Sequence, residues 1–134
     1  MNVDVRDLAA AVRFYTEGLG LHVARRIAAG IVELGGATSA IYLIEQGEGS
    51  AATAGDTDGR RYARHWTPVH LDFVVDDFAA ALRRAEAAGG VREGEVRELA
   101  WGRYAVFADP FGHGFCILQF AGGGYPTVGE SGAS

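Results

Sequence analysis

The chain has 134 residues and a formal net charge of −5, and all twelve of its basic residues are arginine. This length allows one domain with a sizeable core, whereas the negative charge argues against a nucleic-acid binder, which needs a net basic face. A single cysteine, no secretory signal pattern and no run of eighteen apolar residues predict a cytoplasmic protein without a membrane span.

The first 45 residues predict one strand, one helix and three further strands. Residues 1–5 are β-prone, and Asp7 then stands where a helix needs an N-cap. Apolar side chains follow at helical spacing up to Leu19, and glycines at 18 and 20 favour the end of that helix. Three strands are predicted after it, at residues 22–28, 30–34 and 38–45.

Residues 46–65 are predicted to be a flexible connector between two similar halves. The stretch from 46 to 59 is rich in Gly, Ala, Ser and Asp, which is typical of a linker. Arg60, Arg61 and Arg64 follow, and we expect them on a solvated face, with a position over a ligand cavity as the alternative.

The rest of the chain repeats the first pattern. A shift of seventy residues places Val5 on Val75 and Asp7 on Asp77, and the register continues without a gap through Gly20 on Gly90. A strand at 69–75, a capped helix and strands at 91–99, 103–108 and 114–120 are therefore predicted in a second module, residues 66–121. Residues 122–134 are predicted to be a frayed tail.

Strand, helix and three strands, twice over, predict a single α+β domain built from two βαβββ modules, with module 1 at residues 1–45. A ferredoxin-like domain also mixes helices with antiparallel strands. Its βαβ repeat, however, would leave two of the predicted strands unused.

Three segments resemble the vicinal oxygen chelate superfamily, which includes glyoxalases, bleomycin-resistance proteins and extradiol dioxygenases. The segments are Val5-Arg6-Asp7-Leu8 with the Phe14-Tyr15 and Leu19-Gly20-Leu21 that follow, then residues 70–77, and finally Phe107-Ala108-Asp109-Pro110-Phe111-Gly112-His113. The last is similar to the DPxGN-like closing turn of the family, with His113 in place of the usual Asn. The resemblance implies a cup-shaped cavity, which in the metalloenzyme members holds a divalent ion that acts as a Lewis acid.

The resemblance also implies four places for metal ligands, on the first and last strands of each module. His70 matches one of them. Cys116 stands where a Glu is usual, Tyr42 stands at the counterpart in module 1, and the remaining position would lie one residue ahead of Met1. We therefore expect no cofactor, with Zn, Mn, Fe or Ni bound by His70 and Cys116, and a third group such as Asp72, as the alternative.

The candidate cavity residues each have a structural reading beside the functional one. His70 and Asp72 share one strand face by period-two alternation, so they form either an acid/base pair or a structural hydrogen-bonded pair. Cys116 is either a small buried hydrophobe or a nucleophile. Several aromatic residues are expected either to line the cavity or to fill the core: Tyr42, Trp66, Trp101, Tyr104 and Phe115. Arg103 would suit an anionic group of a ligand or else lie on the surface.

These residues predict a protein that binds or sequesters a small, aromatic or amphipathic molecule without the family metal. A metal-dependent lyase, isomerase or dioxygenase of glyoxalase type is the alternative. A metal-free enzyme that transfers protons through His70 and Asp72 is the second alternative. The resemblance also implies a homodimer, since small two-module members usually pair.

Overall fold

The computed structural model describes residues 1–122, so the predicted tail lies outside the described residues from position 123 onward. Module 1 contains four strands and one helix that ends in a π-helical turn. In chain order these are β1 (Asn2–Val5), α1 (Leu8–Arg13) with the π-helical turn Phe14–Gly18, β2 (His22–Ala28), β3 (Ile31–Gly35) and β4 (Ile41–Glu45). The strands form one sheet in the order β1-β4-β3-β2, in which β1 runs parallel to β4.

Module 2 repeats this arrangement. Its elements are β5 (Leu71–Val74), α2 (Phe78–Ala87), β6 (Val91–Leu99), β7 (Gly102–Ala108) and β8 (Gly114–Phe120). The sheet order is β5-β8-β7-β6, again with its first strand parallel to its last. The α+β fold with two βαβββ modules is therefore confirmed. The ferredoxin-like alternative is wrong because each module forms its own four-stranded sheet with one α-helix, whereas two βαβ units would share a single sheet.

Both helices begin at the predicted aspartates. The Asp7 carboxylate accepts a hydrogen bond from the Ala10 amide at 3.0 Å, and Asp77 accepts one from Ala80 at 3.1 Å. Each bond satisfies one of the free amides of a first helical turn. Both helices are short, and none within residues 1–122 is long and apolar enough to cross a bilayer.

The core lies between the helices and one face of each sheet, and it is continuous across the two modules. Phe14 of module 1 lies edge-on to Phe115 of module 2, with ring centroids 6.0 Å apart. Phe115 is also stacked against Phe107 at 5.5 Å and lies edge-on to Phe73 at 5.7 Å. The opposite face of each sheet carries no helix, and this open face of module 2 forms the floor of the cavity described below.

The edge strands β2 and β6 are exposed and irregular. Pairing of β2 with β3 shifts register twice, between Val23 and Arg25 and between Arg26 and Ala28. Pairing of β6 with β7 shifts between Glu93 and Arg97. Such irregularities add twist and interrupt the ladder at a sheet edge.

The second half of the predicted connector packs against both modules. The Tyr62 side chain is buried and donates a hydrogen bond to the Gln46 carbonyl at 2.7 Å. Nearby, Gly112 has a φ of +85°, and a Cβ there would lie 2.7 Å from the carbonyl oxygens of Tyr62 and Ala63. Glycine at this turn therefore lets the connector approach module 2 closely.

Candidate functional site

Three potential donor groups meet on the open face of the module 2 sheet. His70 immediately precedes β5, Asp72 lies on β5, and Cys116 lies directly opposite Asp72 on β8. Their donor atoms all lie within 4.8 Å of one another, and His70 Nε2 is 3.3 Å from Asp72 Oδ1. The alternation that predicted a shared face for His70 and Asp72 thus brings both beside Cys116.

The thiol is the most buried of the three groups. Burial, followed by the charge of the Asp72 carboxylate and a hydrogen bond to it, raises the pKa of the Cys116 thiol to about 11. The thiol is therefore protonated near neutral pH and donates to Asp72. A protonated thiol is a weak nucleophile, which does not favour covalent catalysis by this cysteine.

A cavity of about 390 Å³ opens above these three residues. This volume lies within the usual range of small-molecule pockets. Its lining combines the three polar side chains with aromatic and aliphatic ones: Trp66, His70, Asp72, Leu99, Trp101, Tyr104, Val106, Cys116 and Leu118. The rings of Trp101 and Tyr104 are nearly parallel, at 9°, with centroids 6.0 Å apart.

Other predicted cavity residues lie elsewhere. Arg103 is on the opposite face of the sheet from Tyr104, because neighbours on a strand alternate, and its guanidinium lies 4.8 Å above the Phe78 ring of α2. Phe115 is in the core for the same reason, beside Cys116. Tyr42 lies on the open face of the module 1 sheet, directly opposite Glu33 on β3.

The sequence left open whether Trp66 lines the cavity or fills the core. It also gave no sign of the contact between Trp66 and Arg64. Arg64 makes a two-pronged ion pair with Glu93, at 2.6 Å from Nε and 2.7 Å from Nη2, and the same guanidinium lies 5.4 Å from the Trp66 ring. Trp66 in turn lies against His70, with ring centroids 4.7 Å apart. Arg64 was expected on a solvated face, and no local pattern links it to a residue 29 positions away.

A second cavity, of about 290 Å³, lies where β1 approaches the segment before β5. His65, His70 and His113 all contribute to its lining. His113 Nε2 is 2.7 Å from the Asp4 carbonyl oxygen, so the residue that replaces the family Asn joins module 2 to β1. His70 separates this cavity from the larger one, since it lines both.

The sequence of this chain matches a known protein family along most of its length. The glyoxalase-like domain family matches residues 1–118. The chain belongs to the glyoxalase-like domain family. This membership places the domain in the vicinal oxygen chelate superfamily, as the three sequence motifs predicted.

Curated relatives of this glyoxalase-like domain match over a shorter stretch. The uncharacterized protein Mb0911c of Mycobacterium bovis is 41% identical over 54 residues, which cover 40% of this chain and 36% of that protein. The uncharacterized protein Rv0887c of Mycobacterium tuberculosis is also 41% identical over 54 residues, covering 40% of this chain and 32% of that one. The match thus spans about a third of the length of these relatives.

Solved structures share the fold along most of the domain. Hypothetical protein SA1046 from S. aureus superposes with a TM-score of 0.70 at 21% identity, covering 89% of this chain and 90% of that one. A glyoxalase/bleomycin resistance protein/dioxygenase family enzyme from Burkholderia phytofirmans gives 0.69 at 21% identity, covering 90% and 96%. Lactoylglutathione lyase from Agrobacterium tumefaciens gives 0.60 at 18% identity, covering 89% and 90%. At these identities the likeness establishes the fold.

The donor set of the glyoxalase-like domain fits zinc better than the harder ions of the superfamily. Imidazole, carboxylate and thiolate are all common zinc ligands, whereas a thiolate suits magnesium or manganese poorly. Zinc-bound donors are about 3–4 Å apart, so a cluster spread within 4.8 Å needs only small side-chain rotations. Binding would also have to displace the thiol proton of Cys116.

Proposed function

We propose that this glyoxalase-like domain binds a small organic molecule in the module 2 cavity without a metal ion. The observation that carries the proposal is the lining of that cavity, in which aromatic and aliphatic walls surround the polar cluster of His70, Asp72 and Cys116. Ligand sites are typically apolar with a few convergent polar groups that fix orientation. The protein would therefore hold or sequester its ligand through shape and hydrogen bonds.

The charge states of the cluster support metal-free binding. The raised pKa of Cys116 keeps its sulfur protonated, so the thiol donates a hydrogen bond instead of a lone pair. The Asp72 carboxylate accepts from that thiol and lies near His70 Nε2, and its side chain is still 42% exposed toward the cavity. A ligand can thus reach the Asp72 carboxylate from the cavity.

A cavity-filling substitution tests the proposal. Val106→Phe places a larger side chain in the cavity, whereas Val91→Phe adds the same volume at a position that is 61% exposed and outside the cavity. In a fragment screen followed by ¹⁵N-HSQC spectra, we expect fragments to shift the amide signals of cavity residues in the parent protein and in Val91→Phe. Val106→Phe should weaken the binding at least about tenfold. Fragments that bind Val106→Phe as well as the parent, or no fragment binding at all, would contradict the proposal.

A metal-dependent lyase, isomerase or dioxygenase is the second candidate, and the convergence of three donors favours it. His70, Asp72 and Cys116 would hold zinc and leave a fourth position for a substrate oxygen, which the ion would polarise as a Lewis acid. For the metal-free proposal we expect well under about 0.1 zinc per chain in protein purified without chelators. Stoichiometric zinc that is lost in His70→Ala would establish the second candidate instead.

We further propose that the domain is a cytoplasmic homodimer. Ile27 is 47% exposed and Val69 is 77% exposed, which leaves apolar surface for a second copy to cover. The free, buried thiol of Cys116 is compatible with a reducing compartment. Sedimentation equilibrium should give twice the 14.1 kDa chain mass, and a monomer at about 100 μM would contradict the dimer.

A further inference from the structure

We propose that a planar aromatic ligand stacks on Trp66, and that the Arg64–Glu93 ion pair is the device that holds this indole in place. The inference rests on the proposed function and narrows it to a chemical class: a flat ring system that carries an O–H or N–H donor for Asp72. Trp66 would act as a ligand-stacking residue, and Arg64 and Glu93 as positioning residues.

The Trp66 indole lines the cavity and is partly accessible there. It lies outside regular secondary structure, in the segment that precedes β5, and half of its surface is exposed. One side of the indole faces His70, with centroids 4.7 Å apart and planes inclined by 43°. A large aromatic side chain in a loop keeps one orientation only if other contacts restrict it.

Two sets of contacts restrict the Trp66 side chain, and the first runs from Glu93 through Arg64 to the indole. Glu93 lies on β6, directly opposite the cavity residue Val106, and its two carboxylate oxygens accept Nε and Nη2 of Arg64 at 2.6 and 2.7 Å. This fork-to-fork geometry is the most orientationally specific form of ion pair. The guanidinium then lies over the indole at 5.4 Å, within the range of a cation–π contact.

The second restriction comes from Gly114 at the start of β8. A Cβ at this position would lie 2.8 Å from two ring carbons of Trp66 and 2.9 Å from Arg64 Nη2. The indole and the guanidinium therefore rest directly on the backbone of module 2. Sheet residues on both sides of the cavity thus define where the indole lies.

The chemistry of the neighbouring walls selects the ligand class. Trp101 and Tyr104 add two nearly parallel rings, so the cavity favours a flat π system over a saturated one. The oxygens of the Asp72 side chain line the cavity as hydrogen-bond acceptors, so this residue favours a ligand group that donates a hydrogen bond. The same argument disfavours a flat ring whose polar group is an ether.

Three matched probes test the stacking by isothermal titration calorimetry. They are 2-naphthol, which has the ring and the donor; 2-methoxynaphthalene, which lacks the donor; and decahydro-2-naphthol, which lacks the flat ring. We expect 2-naphthol to bind most tightly, and Trp66→Leu to weaken it about three- to tenfold while changing the saturated alcohol by less than about twofold. Equal binding of 2-naphthol and the saturated alcohol, or equal losses in Trp66→Leu, would overturn the inference and leave cavity binding intact. Failure of all three probes to bind the parent would overturn the inference and count against the proposed function as well.

A second measurement tests the positioning role. The chain has two tryptophans, so in a Trp101→Phe background Trp66 is the only indole reporter. Glu93→Gln and Gly114→Ala should each increase acrylamide quenching of Trp66 in this background. In the parent background, which keeps the Trp101 ring, each should reduce 2-naphthol affinity toward that of Trp66→Leu. Glu86→Gln is the matched control, because Glu86 lies on α2, outside the residues that line the cavity, and its ion pair with Arg92 is exposed. Unchanged quenching and affinity in both test variants, in protein that still unfolds cooperatively, would overturn the positioning role.

Discussion

Replacing Asp109 with alanine is expected to lower the free energy of unfolding by about 3–5 kcal/mol. The Asp109 carboxylate is 4% exposed and accepts three hydrogen bonds: from the Tyr15 hydroxyl at 2.6 Å, the Phe111 amide at 2.8 Å and the His113 amide at 2.9 Å. Its loss leaves a buried hydroxyl and amides without partners, which costs more than the bonds themselves contribute. Urea denaturation followed by circular dichroism measures the change.

Two further variants provide reference values for the loss of stability in Asp109→Ala. Tyr15→Phe removes one of the three donors and is expected to cost about 1–3 kcal/mol. Asp76→Ala changes an exposed aspartate and should stay within about 0.5 kcal/mol of the parent. If Asp109→Ala lowers the free energy of unfolding by less than about 1 kcal/mol, the carboxylate does not stabilise the turn that contains it.

The same pair predicts an alkaline limit to stability. Burial, and then the adjacent Asp109 carboxylate, raise the pKa of Tyr15 well above its usual 10.0. The folded protein therefore keeps this hydroxyl protonated at a pH where the unfolded chain ionises it. Stability is unaffected by this group below about pH 10 and falls above it, by up to about 1.4 kcal/mol per pH unit. Tyr15→Phe should show a shallower fall, which is the control for other ionising groups.

Replacing Phe115 with alanine is expected to cost a similar amount, about 3–5 kcal/mol. Phe115 is 2% exposed and contacts the rings of Phe14, Phe73 and Phe107, so its removal leaves a cavity where the two modules meet. If Phe115→Ala does not fold, Phe115→Leu should retain the fold and lose about 1–2 kcal/mol. Chemical denaturation gives both values.

The surface substitution Val74→Ala is the control for this loss, because Val74 is 57% exposed. It should change stability by no more than about 0.5 kcal/mol. A Phe115→Ala protein as stable as this control would mean that the ring is not part of the shared core. The alternative prediction from the sequence, that Phe115 lines a ligand cavity, would then be favoured.

The fold was predictable because the sequence contains the same pattern of strands and helix twice. The seventy-residue register places both caps and both helix ends, and the structure confirms the capping at Asp7 and Asp77. The element boundaries were less predictable: β4 begins at Ile41, three residues later than the strand pattern indicated, after a bend in which Gly36 takes a φ of +102°. Period-two alternation also placed His70 and Asp72 on one face of the sheet.

The remainder of the site depends on contacts between distant parts of the chain. Arg103 and Tyr104 were both candidate cavity residues, but neighbours on a strand alternate between faces, and the structure places only Tyr104 in the cavity. The sequence contained no signal for which of the two would face it. The position of Trp66 depends on Glu93, which lies in another element and beyond a connector of linker-like composition. Local patterns carry no information about such a pairing.

The irregular outer strands bear on how this protein behaves at high concentration. A straight, apolar sheet border is a template on which further chains can add strands and grow into fibrils. Here the β2 and β6 borders are distorted and rich in charge, with Arg25 and Arg26 on β2 and Glu93, Glu95 and Arg97 among the charged residues of β6. Addition of strands from another chain at these two borders is thereby discouraged, although the open face of each sheet carries no helix.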